Sequence, residues 1–321
     1  MIVALALTLA HSGLEIGLSQ QNISPANGRI AFVSNRDSDH DNEIYAMNSD
    51  GTDVSQLTFN AVDDQNPQWS PDGERIAFDS LRGDWRGIFV MDADGGRQLR
   101  LTEESYAAMM PAWSSDGSQI VYSRWTHNGA DIYIMNSEGS GQVKVVDGED
   151  AAYNFFPTWS PDGNRIALVS VDELIPAGNS GGSLKLCVVN LADGVQTQLG
   201  DIEQYGAPDW SWTTDRLAFF DLGLYYTVIQ TMDSDGTGRM TLTPENSDDP
   251  PRADENPAWS PDGRYIVFDS VAYSSVDPDY FDRDIYVMNA DGSHVTNLTS
   301  DNTSDDVQPD WQPVFPIMSH K

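Results

Sequence analysis

Six times along this chain a proline stands two residues ahead of a tryptophan: Pro67 and Trp69, Pro111 and Trp113, Pro157 and Trp159, Pro208 and Trp210, Pro257 and Trp259, Pro309 and Trp311. Three copies continue as Trp-Ser-Pro-Asp-Gly (Trp69–Gly73, Trp159–Gly163, Trp259–Gly263), and Trp113–Gly117 has Ser in place of Pro. The fifth copy, Trp210–Asp215, is degenerate. Successive tryptophans are 44, 46, 51, 49 and 52 residues apart, the range expected of β-propeller blades.

Each marker is followed by an alternating apolar strand such as Arg75–Ser80, Arg165–Ser170 or Tyr265–Ser270. A loop of variable length leads to a third strand typified by Glu43–Met47, Asp131–Met135 and Asp284–Met288. A tight turn then ends in an acidic residue and glycine at Asp50-Gly51, Asp94-Gly95, Glu138-Gly139, Asp193-Gly194, Asp235-Gly236 and Asp291-Gly292. Glycine takes positive φ without strain, and Asp tolerates it, so the pair suits a hairpin. A fourth strand ends near Leu-Thr at 57–58, 101–102, 242–243 and 298–299.

Four strands in each of six units predict an all-β fold, a six-bladed β-propeller of antiparallel blades over residues 28–315. The first unit lacks its own Pro-x-Trp strand, and the last supplies a surplus one at Trp311. Pairing that C-terminal strand with Ile30–Ser34 would close the ring and remove two open sheet edges.

The unit Pro-x-Trp-Ser-Pro-Asp-Gly … Ile-Ala-Phe … Glu-Ile-Tyr-x-Met-Asn-x-Asp-Gly … Leu-Thr resembles that of the TolB-like propellers. The resemblance implies a six-bladed ring, a place outside the cytoplasm and a protein partner. The α/β domain that precedes the propeller in TolB itself has no counterpart in residues 1–27. Within them, Met1–Ala10 is apolar and uncharged, too short to span a bilayer, and reads as the core of an export signal. Residues 11–27 read as a tether. A periplasmic or secreted, monomeric protein without stable membrane insertion is expected.

Charge narrows the partners. There are 17 basic against 50 acidic residues, a formal charge of -33, and no cluster of Lys and Arg to hold phosphates. Nucleic acid is excluded, and a basic protein or peptide is the expected ligand. The one cysteine, Cys187, lies in an apolar strand and reads as a small buried hydrophobe.

Chain order assigns loops to faces. The stereotyped Ser-Pro-Asp-Gly and Asp-Gly turns share one face, and the irregular loops and inter-blade links share the other. Variable loops on a rigid scaffold are where binding resides. Within the links Arg252 is the one base among many acids, so an acidic channel mouth is expected. Asp64, Asp254 and Asp306 each stand three residues before a repeat proline, which suits either partner contact or backbone capping. The residues just before the prolines are expected at the channel: Asn66, Met110, Phe156, Ala207, Asn256 and Gln308. Met109-Met110 and Phe155-Phe156 form an apolar patch on one side or pack between blades. The expected partner-binding set is therefore Asp64, Asn66, Met110, Phe156, Asp254, Asn256, Asp306 and Gln308.

Asp37, Asp39 and Asp41 have the alternate spacing of calcium-loop oxygen ligands, without the glycine and distal glutamate of such loops. Calcium is the one cofactor this sequence suggests. Gly178-Asn-Ser180-Gly-Gly182 matches a nucleophile motif in letters alone, because no helix follows it. Five scattered histidines (11, 40, 127, 294 and 320) make neither a zinc site nor an acid–base pair. No catalytic constellation is visible, and a non-catalytic binding scaffold is expected. The alternative is a carbohydrate-binding or polysaccharide lyase-like propeller acting at the channel mouth, where Trp85, Trp125 or Trp212 would stack on sugars.

Overall fold

A computed structural model describes residues 27–37, 41–103, 105–126, 129–147, 153–171, 184–203, 206–244, 252–273, 281–300 and 304–314. The signal-like segment and tether through residue 26, Asp39, His40, His127 and the Gly178–Gly182 loop lie outside them. Every regular element among the described residues is a β-strand, 24 in all. None is a helix long and apolar enough to cross a membrane.

The strands fall into units of four. In the second unit Asp64–Trp69, Arg75–Ser80, Gly87–Asp92 and Leu99–Arg100 pair antiparallel in that order. The fifth (Asp209–Trp210 to Met240–Thr241) and sixth (Arg252–Trp259 to Thr296–Asn297) repeat this order. The third, Ala108–Trp113 to Val143–Val146, and the fourth, Tyr153–Trp159 to Gln196–Ile202, do so too. One parallel bridge between Ala130 and Tyr153 joins these two into an eight-stranded sheet.

The first unit is built from both ends of the described chain. Asp306–Pro313 pairs antiparallel with Asn27–Ser34, setting Ile30 opposite Trp311 and Ala31 opposite Asp310. Glu43–Met47 and Ser55–Gln56 complete it.

The repeat residues hold neighbouring units together. Trp69 is buried against Ala31, Ile44 and Leu57 of the first unit and Ile76, Phe78 and Phe89 of its own. Trp113, Trp159, Trp210 and Trp259 occupy equivalent seams. Trp311 sits with Ile30 and Phe32 on one side and Val267 and Ile285 on the other, so the last unit packs on the first. Each indole fills a wedge between two sheets that a smaller side chain would leave void.

The Leu-Thr ending has two functions. Its leucine enters the core, as Leu57 does, and its threonine hydroxyl accepts the amide of the third strand. Ile44 N reaches Thr58 Oγ1 at 2.8 Å, and Ile88, Ile229 and Ile285 reach Thr102, Thr243 and Thr299 at 2.9–3.0 Å. The turn glycines also touch the neighbouring unit. A Cβ on Gly51, at φ 86°, would stand 2.5 Å from the Leu298 carbonyl oxygen, whereas one on Gly194 would meet nothing. Glycine at position 51 is therefore required twice, for its backbone and for the closeness of the next blade.

Candidate functional site

Proline lacks an amide hydrogen, so the strand that carries it must leave a gap in its ladder. The structure supplies this gap as a bulge. Gln65 pairs with Asp79 and Gln68 with Ala77, so two residues, Asn66 and Pro67, stand opposite one. The same shift occurs at Met109/Ala112, Phe155/Thr158 and Glu255/Ala258. The residue before the proline turns left-handed, with φ 52° at Asn66, 59° at Met110, 50° at Phe156, 49° at Asn256 and 54° at Gln308. Ala207 is the sixth residue of this series and lacks the positive φ.

All six residues, one from each unit, line a single cavity of about 90 Å³. The feature missed is a pair of buried carboxylates beneath them. Asp79 accepts hydrogen bonds from Asn66 Nδ2 at 2.7 Å and from the Met110 amide at 2.9 Å, while Arg86 donates to its other oxygen at 2.6 Å. Asp269 accepts from Asn256 Nδ2 at 2.8 Å and from the Gln308 amide at 2.9 Å, with Arg283 at 3.4 Å. Gln308 Oε1 in turn accepts the Asn66 amide at 2.9 Å. One hydrogen-bonded chain thus runs from the sixth unit through the first and second to the third. Burial pushes both carboxyls up against these favourable contacts, Asp269 to about 7. A signal was present: Asp79 and Asp269 occupy a strand position that holds Val33, Val169 and Phe220 in other units.

Deeper in the channel lie the residues between proline and tryptophan, Gln68, Ala112, Thr158, Asp209, Ala258 and Asp310. Asp310 accepts from the Trp69 amide at 2.6 Å and from Gln68 Nε2 at 3.1 Å. Asp209 accepts from the Trp259 amide at 2.7 Å. Burial raises Asp209 to about 7 and Asp310 well above the carboxylate range, the negative charge of Asp209 adding to the latter.

Three of the link aspartates are held inside the fold. Asp64, Asp254 and Asp306 are buried. Asp64 accepts from Asn60 Nδ2 at 2.8 Å and is paired with Arg82. Asp306 holds Arg36 at 2.7 Å, and Asp254 faces Ser270 and Arg252. Arg36 and Arg82 come from the loops between second and third strands, and Arg252 from the link itself. These three aspartates are not among the residues that line the cavity, whereas the six before the prolines are.

Asp37 and Asp41 lie with the buried Glu43, their carboxylate oxygens all within 4.8 Å of one another. Asp39, the third member of the expected calcium trio, is outside the described residues. Glu43 accepts from the Asn60 amide at 2.6 Å and from its Nδ2 at 3.1 Å. Burial first, then the charges of Asp64 and Asp41, push Glu43 up to about 7, a load that a proton or a cation relieves.

Residues 86–219 match the family described as the TolB beta propeller domain. No curated protein sequence matches the chain. TolB from Acinetobacter baumannii superposes with a TM-score of 0.70 at 20% identity, covering 89% of this chain and 67% of that one. The putative TolB from Agrobacterium tumefaciens gives 0.64 at 18% identity, over 90% of this chain and 99% of that one. Oligogalacturonate lyase from Vibrio parahaemolyticus is less similar, at 0.54 and 13% identity, over 85% and 72%. At these identities the superpositions establish the fold alone.

Proposed function

Taking the chain as a TolB-like β-propeller, we propose that it is a non-catalytic binding scaffold outside the cytoplasm. Its channel mouth takes an extended segment of a protein partner that carries basic residues. The observation that carries this reading is the convergence of six pre-proline residues, one per unit, on one small cavity. The amides of two of them, Met110 and Gln308, are held by buried carboxylates that are also paired with arginines. A cavity of about 90 Å³ admits a side chain and not a folded element. The formal charge of -33 favours a cationic ligand and speeds its encounter.

The test is selection of peptides from a randomised, displayed library on the intact protein. Enriched peptides are expected to be rich in Lys or Arg and to bind with micromolar affinity. They should lose at least tenfold in affinity on Ala207→Trp, which fills the cavity, and less on Ala207→Leu. Enriched peptides that bind Ala207→Trp as well as wild type would place the site elsewhere.

A further inference from the structure

The mouth has two unlike halves. Asn256, Gln308 and Asn66, from the sixth, first and second units, make a polar arc tied to Asp269 and Asp79. Met110, Phe156 and Ala207, from the third to fifth units, make an apolar arc.

The left-handed backbone tells these halves apart. Asparagine is the side chain, after glycine, that best tolerates positive φ, and it stands at 66 and 256. Methionine and phenylalanine do not favour it, yet they stand at φ 59° and 50°. The fold would be served at least as well by Asn at both positions. Strain of this kind persists where a side chain is kept for another purpose.

An aromatic wall continues outward from them. Phe156, Phe155 and Trp125 follow one another with ring centroids 6.5 and 5.5 Å apart, and Tyr153 lies 6.0 Å from Phe155. Trp125 Nε1 points to Met109 Sδ at 3.2 Å. This wall fills the seam where the third and fourth units share the parallel bridge between Ala130 and Tyr153.

We propose, resting on the peptide-binding reading above, that Met110 and Phe156 are an anchor subsite. It receives one apolar side chain, Leu, Met or Phe in size, from an extended basic peptide. Asn66, Asn256 and Gln308 face the peptide backbone from the opposite arc. The flexible thioether of Met110 adapts to side chains of different shape, and the ring of Phe156 gives a fixed surface. Lys or Arg on either side of the anchor meets the acidic protein at longer range.

The experiment uses the selected peptides with wild type, Met110→Asn and Phe156→Asn. Enriched sequences are expected to share one Leu, Met or Phe beside basic residues. Replacing that residue by Ala should weaken binding at least tenfold on wild type and less than threefold on either variant. Both variants should keep or raise the melting temperature, because Asn relieves the backbone strain. Peptides that bind without a shared apolar residue, or that bind the variants as wild type, would overturn the anchor and leave the peptide-binding reading standing. Variants that fail to fold would overturn it too, since Met110 and Phe156 would then be core residues. If no peptide is enriched, the reading and the anchor fall together.

Discussion

Trp311→Ala is expected to destabilise the protein by about 3–5 kcal/mol, and a chain ending at residue 303 to lose cooperative unfolding altogether. Trp311 is 3% exposed and packs between the first and last units. Its strand supplies the pairing partner of Asn27–Ser34 and packs against the sixth unit. Without it both neighbours present open edges and a stripe of uncovered apolar side chains. The expected loss is a large part of the roughly 5–15 kcal/mol that holds a domain folded. Trp85→Ala is the control: its side chain is 53% exposed, so its effect should be within about 0.5 kcal/mol. Denaturant unfolding followed by fluorescence measures all three. A truncated chain with the wild-type midpoint would mean that the ring is not held by this strand.

The second large effect is on pH. The melting temperature is expected to peak near pH 5 and to fall as pH rises to 8, the reverse of ordinary acid denaturation. Asp209 and Asp269 are each pushed up to about 7, and Asp79, Asp254 and Asp310 are raised as well, by burial in every case. A carboxyl that binds its proton more tightly folded than unfolded contributes stability below the unfolded value, near 4. That contribution is lost as pH climbs through the folded value. Moving one carboxyl from near 4 to about 7 corresponds to about 4 kcal/mol at most. The mutual repulsion of surface acids, which grows as they ionise, adds to this effect in the same direction. The turn aspartates Asp72, Asp116 and Asp162 behave oppositely. Their serine and backbone hydrogen bonds lower them, so their contribution disappears only below about pH 4. Between pH 5 and 8 a fall of about 10 °C is expected. Asp209→Asn should flatten the profile, and a flat wild-type profile would show that these carboxyls are not loaded.

Much of the fold was legible in the sequence because its signals are local. The alternation in Arg75–Ser80, the Asp-Gly turns and the surplus strand at Trp311 each follow from near neighbours in the chain. The fourth strands are shorter than their apolar endings suggest, two residues at Ser55–Gln56 and Leu99–Arg100, because threonine hydroxyls finish the pairing instead.

The residues before the prolines are marked by the repeat itself, whereas the partners of the link aspartates are not. Arg36 reaches Asp306 across 270 residues of chain, and Arg82 reaches Asp64 from the following loop. Such pairing is set by how the loops fold back over their own blade, which a count of charges along the links does not show. Nor does it show Asp79 under Met110 and Asp269 under Gln308, each binding an amide of the next unit.

Hydrogen–deuterium exchange of the protein with and without a selected peptide tests the binding site most directly. Protection is expected in the pre-proline strands Asp64–Trp69, Ala108–Trp113, Tyr153–Trp159, Arg252–Trp259 and Asp306–Pro313. The Asp-Gly turns on the opposite face should exchange as before. Protection confined to those turns, with the pre-proline strands unchanged, would contradict a ligand at the channel mouth.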